Sequence, residues 1–358
     1  MQDKTVAPKN PAEPVPSPKV IPQSVWTVAN FTAVAGITSA AVISVQSPIK
    51  TLLVNLTKYN TYLPHNYSGG SLSFFRAFYA GANTSMKGSA VRTAYVTTTK
   101  ENKPAEALTE GLIKEENIVE EGIKPGHRIY PSYIASAALG DALVTQIPES
   151  LSLLKKIPGL LPAEFKWYTP YNTYKLMSNG YVPRYSAGLI NFICMLQFED
   201  QIASQLPIDD GVQKYIAAGA LSGATAAFFA YPFTAYKDYL LTQTTVNNQG
   251  QLINARSSKV MYDLYNDLTT DPKKVMQQVL SNTKKQLPIR MALSGTIFAI
   301  IAGTEKVLGA EPLAKIVPEQ YRPSAALQGF FATSKATPTT EKNTPEASAT
   351  AAQSVPKR

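Results

Sequence analysis

Uncharged stretches about as long as a membrane crossing recur along this chain, separated by polar and charged connections. The rest is organised around residues 215–237, YIAAGALSGATAAFFAYPFTAYK, which run for 22 positions without a charge, break at Pro232 and end at Lys237. Twenty or so apolar residues at the helical rise span the hydrocarbon core of a bilayer. Gly219 and Gly223, like Ala220 and Ala224, fall four apart, on a face where a second helix can approach closely. Pro232 removes a helical hydrogen bond and predicts a kink near one membrane surface.

The bend recurs at Pro48, closing FTAVAGITSAAVISVQSP, and at Pro148, closing YIASAALGDALVTQIP. Twelve and eight residues before the three prolines stand Gly36 with Ala40, Ser136 with Gly140, and Ala220 with Ala224, all small. The prolines are 100 and 84 residues apart, the signature of three divergent copies of one unit. Between them lie less regular spans at residues 71–96, 181–199 and 288–305. Lys87 and Arg92 interrupt the first of these, and charges at that depth are expensive in lipid, so they are expected to face a wet interior. The pattern therefore predicts an all-α membrane protein with six transmembrane helices in three pseudo-repeats. These cover residues 25–96, 131–200 and 214–310, with both termini on one side.

Composition narrows this reading. The 44% hydrophobic content is concentrated in uncharged segments, whereas the mean hydropathy of −0.10 reflects long polar connections. Segment length alone leaves a soluble helical bundle as the alternative. Residues 1–24 carry six prolines and are expected to form an extended, disordered arm without a cleaved presequence. Residues 97–130 form a charged loop and 311–358 a mostly disordered polar tail.

The formal charge is +9, but its distribution does not point to nucleic acid. Lys155, Lys156, Lys259, Lys273, Lys274, Lys284 and Lys285 fall on one predicted side. The acids of residues 101–121, with Glu199, Asp200, Asp209 and Asp210, fall on the other, as in a topology signal. The single cysteine, Cys194, is expected to be a small buried hydrophobe. With His65 and His127 as the only histidines, a disulfide framework and a Cys/His zinc site are excluded. Neither a metal nor a cofactor is expected. Both histidines lie in loops outside the spans, which disfavours a Ser/His/Asp hydrolase and leaves a non-enzymatic protein as the expectation. GANTSMKGS, residues 81–89, fails as a phosphate loop because Met86 stands where Gly is needed and Gly88 where Ser or Thr is.

These features resemble the mitochondrial carrier family: three repeats of about a hundred residues, each with a Pro-kinked odd-numbered helix, a basic loop helix and an even-numbered helix. The resemblance covers residues 25–310, and its best local match is AAGALSGATAAFFAYPFTAYK, where the family's P-x-[DE]-x-x-[KR] motif appears as Pro232, Thr234 and Lys237. LSFFRAFYAG, residues 72–81, resembles the start of the family's second helix.

The resemblance implies a carrier that moves a nucleotide such as ATP or ADP across the mitochondrial inner membrane by alternating access. The alternatives are another anion (phosphate, a dicarboxylate, a keto acid), or a degenerate carrier serving as a membrane-bound interaction protein. It further implies a monomer in contact with membrane lipids of the cardiolipin type. So divergent a member, with polar tails at both ends, also fits a bacterial effector sent to host mitochondria. Candidate substrate contacts are Lys87 and Arg92 on the second helix, Ser186, Ala187 and Asn191 on the fourth, and Arg290 on the sixth. Cations around a wet pocket suit a polyanion. Asp141 is expected to partner one of them.

The family's gates are eroded in this sequence. Its acid positions after the three prolines hold Lys50, Ser150 and Thr234, and its basic positions Leu53, Leu153 and Lys237. The family's ring of ion pairs therefore cannot form from these residues. At the other gate, Glu199 and Glu305 lack a base three residues on, so closure is expected to rest on packing.

Overall fold

The computed structural model of the chain describes residues 21–64, 67–101, 131–209, 211–309 and 311–323. The expectations for the N-terminal arm, most of the charged loop, the C-terminal tail and both histidines concern residues outside these. The chain divides into two compact units. In the smaller, Met1–Trp26 with Val317–Arg358, the Ile21 amide donates to the Tyr321 carbonyl at 2.9 Å. The larger, Thr27–Ile316, carries the architecture.

Among the described residues the α-helices are α1 (Gln23–Tyr59), α2 (Ser71–Phe78), α3 (Ala82–Glu101), α4 (Pro131–Lys155), α5 (Pro170–Ser178), α6 (Tyr181–Ile193), α7 (Glu199–Gln205), α8 (Val212–Thr242), α9 (Ser257–Thr270) and α10 (Pro272–Leu308). A π-helical turn, Cys194–Phe198, joins α6 to α7 without a break. A two-stranded antiparallel ribbon pairs Thr245 with Ile253 and Val246 with Leu252. Pro48, Pro148 and Pro232 all lie inside helices, in α1, α4 and α8, as the sequence predicts. Pro288 adds a fourth inside α10.

Two expectations change. The span predicted over residues 71–96 is broken at Gly81, whose φ of +73° is left-handed. A Cβ there would stand 3.0 Å from the Ser152 carbonyl oxygen, so the turn favours glycine in both conformation and space. LSFFRAF thus forms the separate short helix α2 ahead of the second long one. The span predicted over residues 288–305 starts earlier, because α10 begins at Pro272 with Asp271 capping the Lys274 amide.

Six long elements pack in a closed, antiparallel circuit. Ser39 of α1 bonds Thr93 of α3 at 3.1 Å, Tyr95 of α3 donates to the Ala137 carbonyl of α4 at 3.1 Å, and Tyr185 of α6 donates to that of Ala135 at 3.4 Å. Ser222 of α8 donates to the Cys194 carbonyl at 2.6 Å, giving the π turn a partner. Gly219 and Gly223 of α8 lie against α10, where an added Cβ would come within 2.8 Å of the Phe298 oxygen and 2.5 Å of the Ser294 oxygen. This is the close approach that the small-residue face predicts. Thr38 of α1 closes the circuit on Thr304 of α10 at 3.1 Å.

The outward faces of this circuit are apolar. Val28, Ile37, Leu139, Leu143, Leu221, Phe228 and Phe229 are all exposed. Three of the described helices, α1, α8 and α10, are long and apolar enough to cross a membrane. Cys194 is buried among hydrophobic side chains, as expected of a structural cysteine.

Candidate functional site: a cation-rich cavity at the helix kinks

All six long elements line a central cavity of about 240 Å³. Its polarity is graded. Val42, Val96, Phe192, Met195, Phe298 and Ile301 line one part, and the charged side chains gather nearer the prolines inside the helices. The gradient runs along the helix axes: Val42 precedes Lys50 on α1 by about two turns, or ~12 Å.

Lys50, Arg92, Arg184, Lys237 and Arg290 come from α1, α3, α6, α8 and α10, against the acids Asp141, Glu149 and Asp238. The cavity therefore has two more cations than acids before Lys156, which also lines it, is counted. Glu149, one residue beyond Pro148, stands at the centre. Its Oε1 lies 3.3 Å from Arg92 Nη1 and 4.0 Å from Lys50 Nζ, and its Oε2 lies 2.5 Å from Arg184 Nη1 and 3.9 Å from Lys237 Nζ. Arg184 also donates to the Thr145 hydroxyl. Asp141 pairs with Arg92 Nε at 3.1 Å and Asp238 with Arg290 Nη2 at 2.7 Å. The expected partnering of Asp141 is thus found.

Lys156 sits just beyond α4. Its Nζ donates to the Thr51 hydroxyl and the Ala80 carbonyl at 2.9 Å, and to the Ser47 carbonyl and hydroxyl at 3.2 Å. Burial pushes its ammonium from 10.5 down to about 7, and nearby Lys50 adds to the shift. Near neutrality it exchanges between an ammonium that can serve three of the four oxygens and an amine that can serve two.

The structure corrects several expectations. The family's ion-pair positions do not form a ring, but closure at the kinks does not rest on packing alone, because a single carboxylate, Glu149, gathers cations from four other helices. Lys87 is exposed and outside the cavity lining. Five residues, about 140° of helical turn, separate it from Arg92, so the two cannot share a face. Ser186 is off the lining for the same reason: Arg184, Ala187 and Asn191 make the inward face of α6, while the Ser186 hydroxyl bonds back to the Val182 carbonyl at 3.2 Å. Glu199 is buried outside the cavity lining and Glu305 is exposed. Arg92, Ala187, Asn191, Arg290, Pro148 and Lys237 do line the cavity. Glu149, Arg184, Lys50 and Asp238 are the residues that the sequence reading missed. The adjacency of Lys50 and Glu149 to kink prolines is the one signal that points to them.

An apolar exterior around a charged interior defines a membrane protein whose working surface is its core. The profile of the mitochondrial SLC25 homologs matches residues 26–318. The chain belongs to that family. It is also similar to a curated protein of Legionella pneumophila named serine protease Lpg1137, with 29% identity over 167 residues, covering 45% of this chain and 50% of that protein. The chain thus spans about half the length of the curated relative it matches.

Proposed function

We propose that this protein is a six-span solute carrier that moves a small anion through the central cavity by alternating access, in the mitochondrial inner membrane. The supporting observation is the convergence of Lys50, Arg92, Arg184, Lys237 and Arg290 from five helices on one cavity at the kinks. Rigid helices that meet at one charged centre can exchange partners as they tilt, which is what alternating access requires. The cavity volume favours the smaller of the anions considered. Sites for drug-sized ligands run from roughly 300 to 1,000 Å³, and about 240 Å³ suits phosphate or a short organic acid better than ATP. The test is uptake by the reconstituted full chain of labelled phosphate, malate, pyruvate and ATP, each offered singly. Uptake of ATP alone restores the nucleotide reading, and uptake of none removes the carrier.

The Legionella relative's name carries a second reading, a serine hydrolase, possessed of a nucleophile that reacts with fluorophosphonates. Both histidines lie outside the described residues, so no Ser/His pairing is described. Labelling of the intact chain by a fluorophosphonate probe, lost on substitution of one serine, would favour this reading; absence of labelling would leave the carrier. A bacterial source for such a relative also fits an effector that works on the membranes of another cell.

A further inference from the structure

Glu149 differs from the other two acids of the cavity. Asp141 has one near arginine, at 3.1 Å, and Asp238 has an arginine at 2.7 Å with Lys237 at 3.6 Å. Glu149 instead collects Lys50, Arg92, Arg184 and Lys237 from four helices, two cations on each oxygen. It is the ion-pair partner shown for both Lys50 and Arg184. Such a cage is the arrangement a free carboxylate would seek, with one guanidinium and one ammonium group on each oxygen. The side chain that fills it, a carboxylate on two methylenes, is chemically one end of a short dicarboxylic acid.

We propose that Glu149 is a tethered stand-in for the transported anion: its four cations are the substrate's binding site, and a short dicarboxylate enters by displacing it. This deepens the carrier reading and rests on it. Four cations within about 4 Å of one carboxylate repel each other unless an anion sits among them, so Glu149 leaves only as a substitute arrives. A monocarboxylate has one charge with which to compete against a carboxylate already held at high local concentration, and it loses. A dicarboxylate brings a second charge, which the cavity's excess of cations can take up. The exchange also removes the ion pairs that tie α4 to Lys50 of α1 and Lys237 of α8, so occupancy and helix movement are coupled at one residue.

The experiment uses the purified full chain in detergent and reads binding by calorimetry, with glutarate, acetate and inorganic phosphate as probes. In the parent protein glutarate binds and acetate does not. In Glu149→Gln, glutarate binds at least tenfold more tightly and acetate becomes a ligand. Unchanged or weaker glutarate binding in that variant overturns the proposal, as does failure of both forms to bind glutarate, or a preference of both for phosphate. Should Glu149→Gln not fold, Glu149→Cys gives a second readout, since the one native cysteine, Cys194, is buried. An anionic thiosulfonate should label Cys at this position faster than a cationic one, with glutarate protecting; no charge preference or no protection overturns the proposal. Glutarate binding that follows the predicted pattern without any transport in vesicles would sink the carrier reading alone. Transport with unaltered glutarate affinity in Glu149→Gln would sink this inference alone.

Discussion

Asp238 of α8 and Arg290 of α10 meet at 2.7 Å, joining the same two helices whose glycines bring their backbones into contact. Both side chains are largely buried, at 13% and 10% exposure. Removing one partner of a buried pair leaves an uncompensated charge and costs about 3–5 kcal/mol, whereas removing both costs less. Asp238→Asn is therefore expected to lower the thermal unfolding temperature in detergent more than the double variant Asp238→Asn with Arg290→Gln. Equal losses would show that the pair carries little of the α8 to α10 contact.

The glycines give an independent test of the same interface. Gly223→Ala places a methyl 2.5 Å from the Ser294 oxygen, and such overpacking typically costs about 1–3 kcal/mol. Gly36→Ala is the contrasting case. A Cβ there meets nothing within 4 Å, and removing a mid-helix glycine stabilises by up to about 1 kcal/mol. Opposite shifts in unfolding temperature are expected for the two variants.

Lys156 gives a pH dependence with a defined sign. Its folded-state value of about 7 lies below the ordinary 10.5, so between these values the unfolded chain binds more protons than the folded one. Stability then rises with pH across that window. Comparing unfolding of the parent and Lys156→Met from pH 7 to 10 checks this: the parent should gain stability relative to the variant, and a relative loss would contradict the burial argument.

The parts of the molecule that local sequence determines were legible. Pro48, Pro148 and Pro232 each fall inside a long helix where an apolar run announces one, and Gly219 and Gly223 on one helical face announce a close neighbour. Arg92 and Arg290 were legible as interior charges because lipid tolerates them poorly. Lys87 and Ser186 show the limit of that logic. Each is a plausible ligand by residue type, and only the rotation of its helix relative to Arg92 or Arg184 turns it away from the cavity. Glu149 was hidden for a different reason. The family motif puts an acid two residues beyond the proline, and Glu149 stands one residue beyond it. Its significance depends on four cations distant in sequence that only the packed helices bring together. The turn at Gly81 was missed because an apolar run can continue through a break that a single glycine makes.

Helix rotation is itself testable. Arg184 lines the cavity and touches Glu149 and the buried Thr145, while Lys87 is exposed outside the lining. In reconstituted vesicles Lys87→Gln should leave anion uptake close to that of the parent, and Arg184→Gln should reduce it by about tenfold or more, on the scale of a lost charge-assisted contact. The reverse order would mean that the inward face of α6 or α3 is assigned wrongly.

The central claim is that a solute passes through the cationic cavity, and uptake of labelled glutarate into vesicles containing the full-length protein tests it most directly. Saturable uptake that falls by about tenfold or more in Arg184→Gln is the predicted result. Vesicles that take up neither glutarate nor any other labelled anion, or uptake indifferent to Arg184, would contradict it.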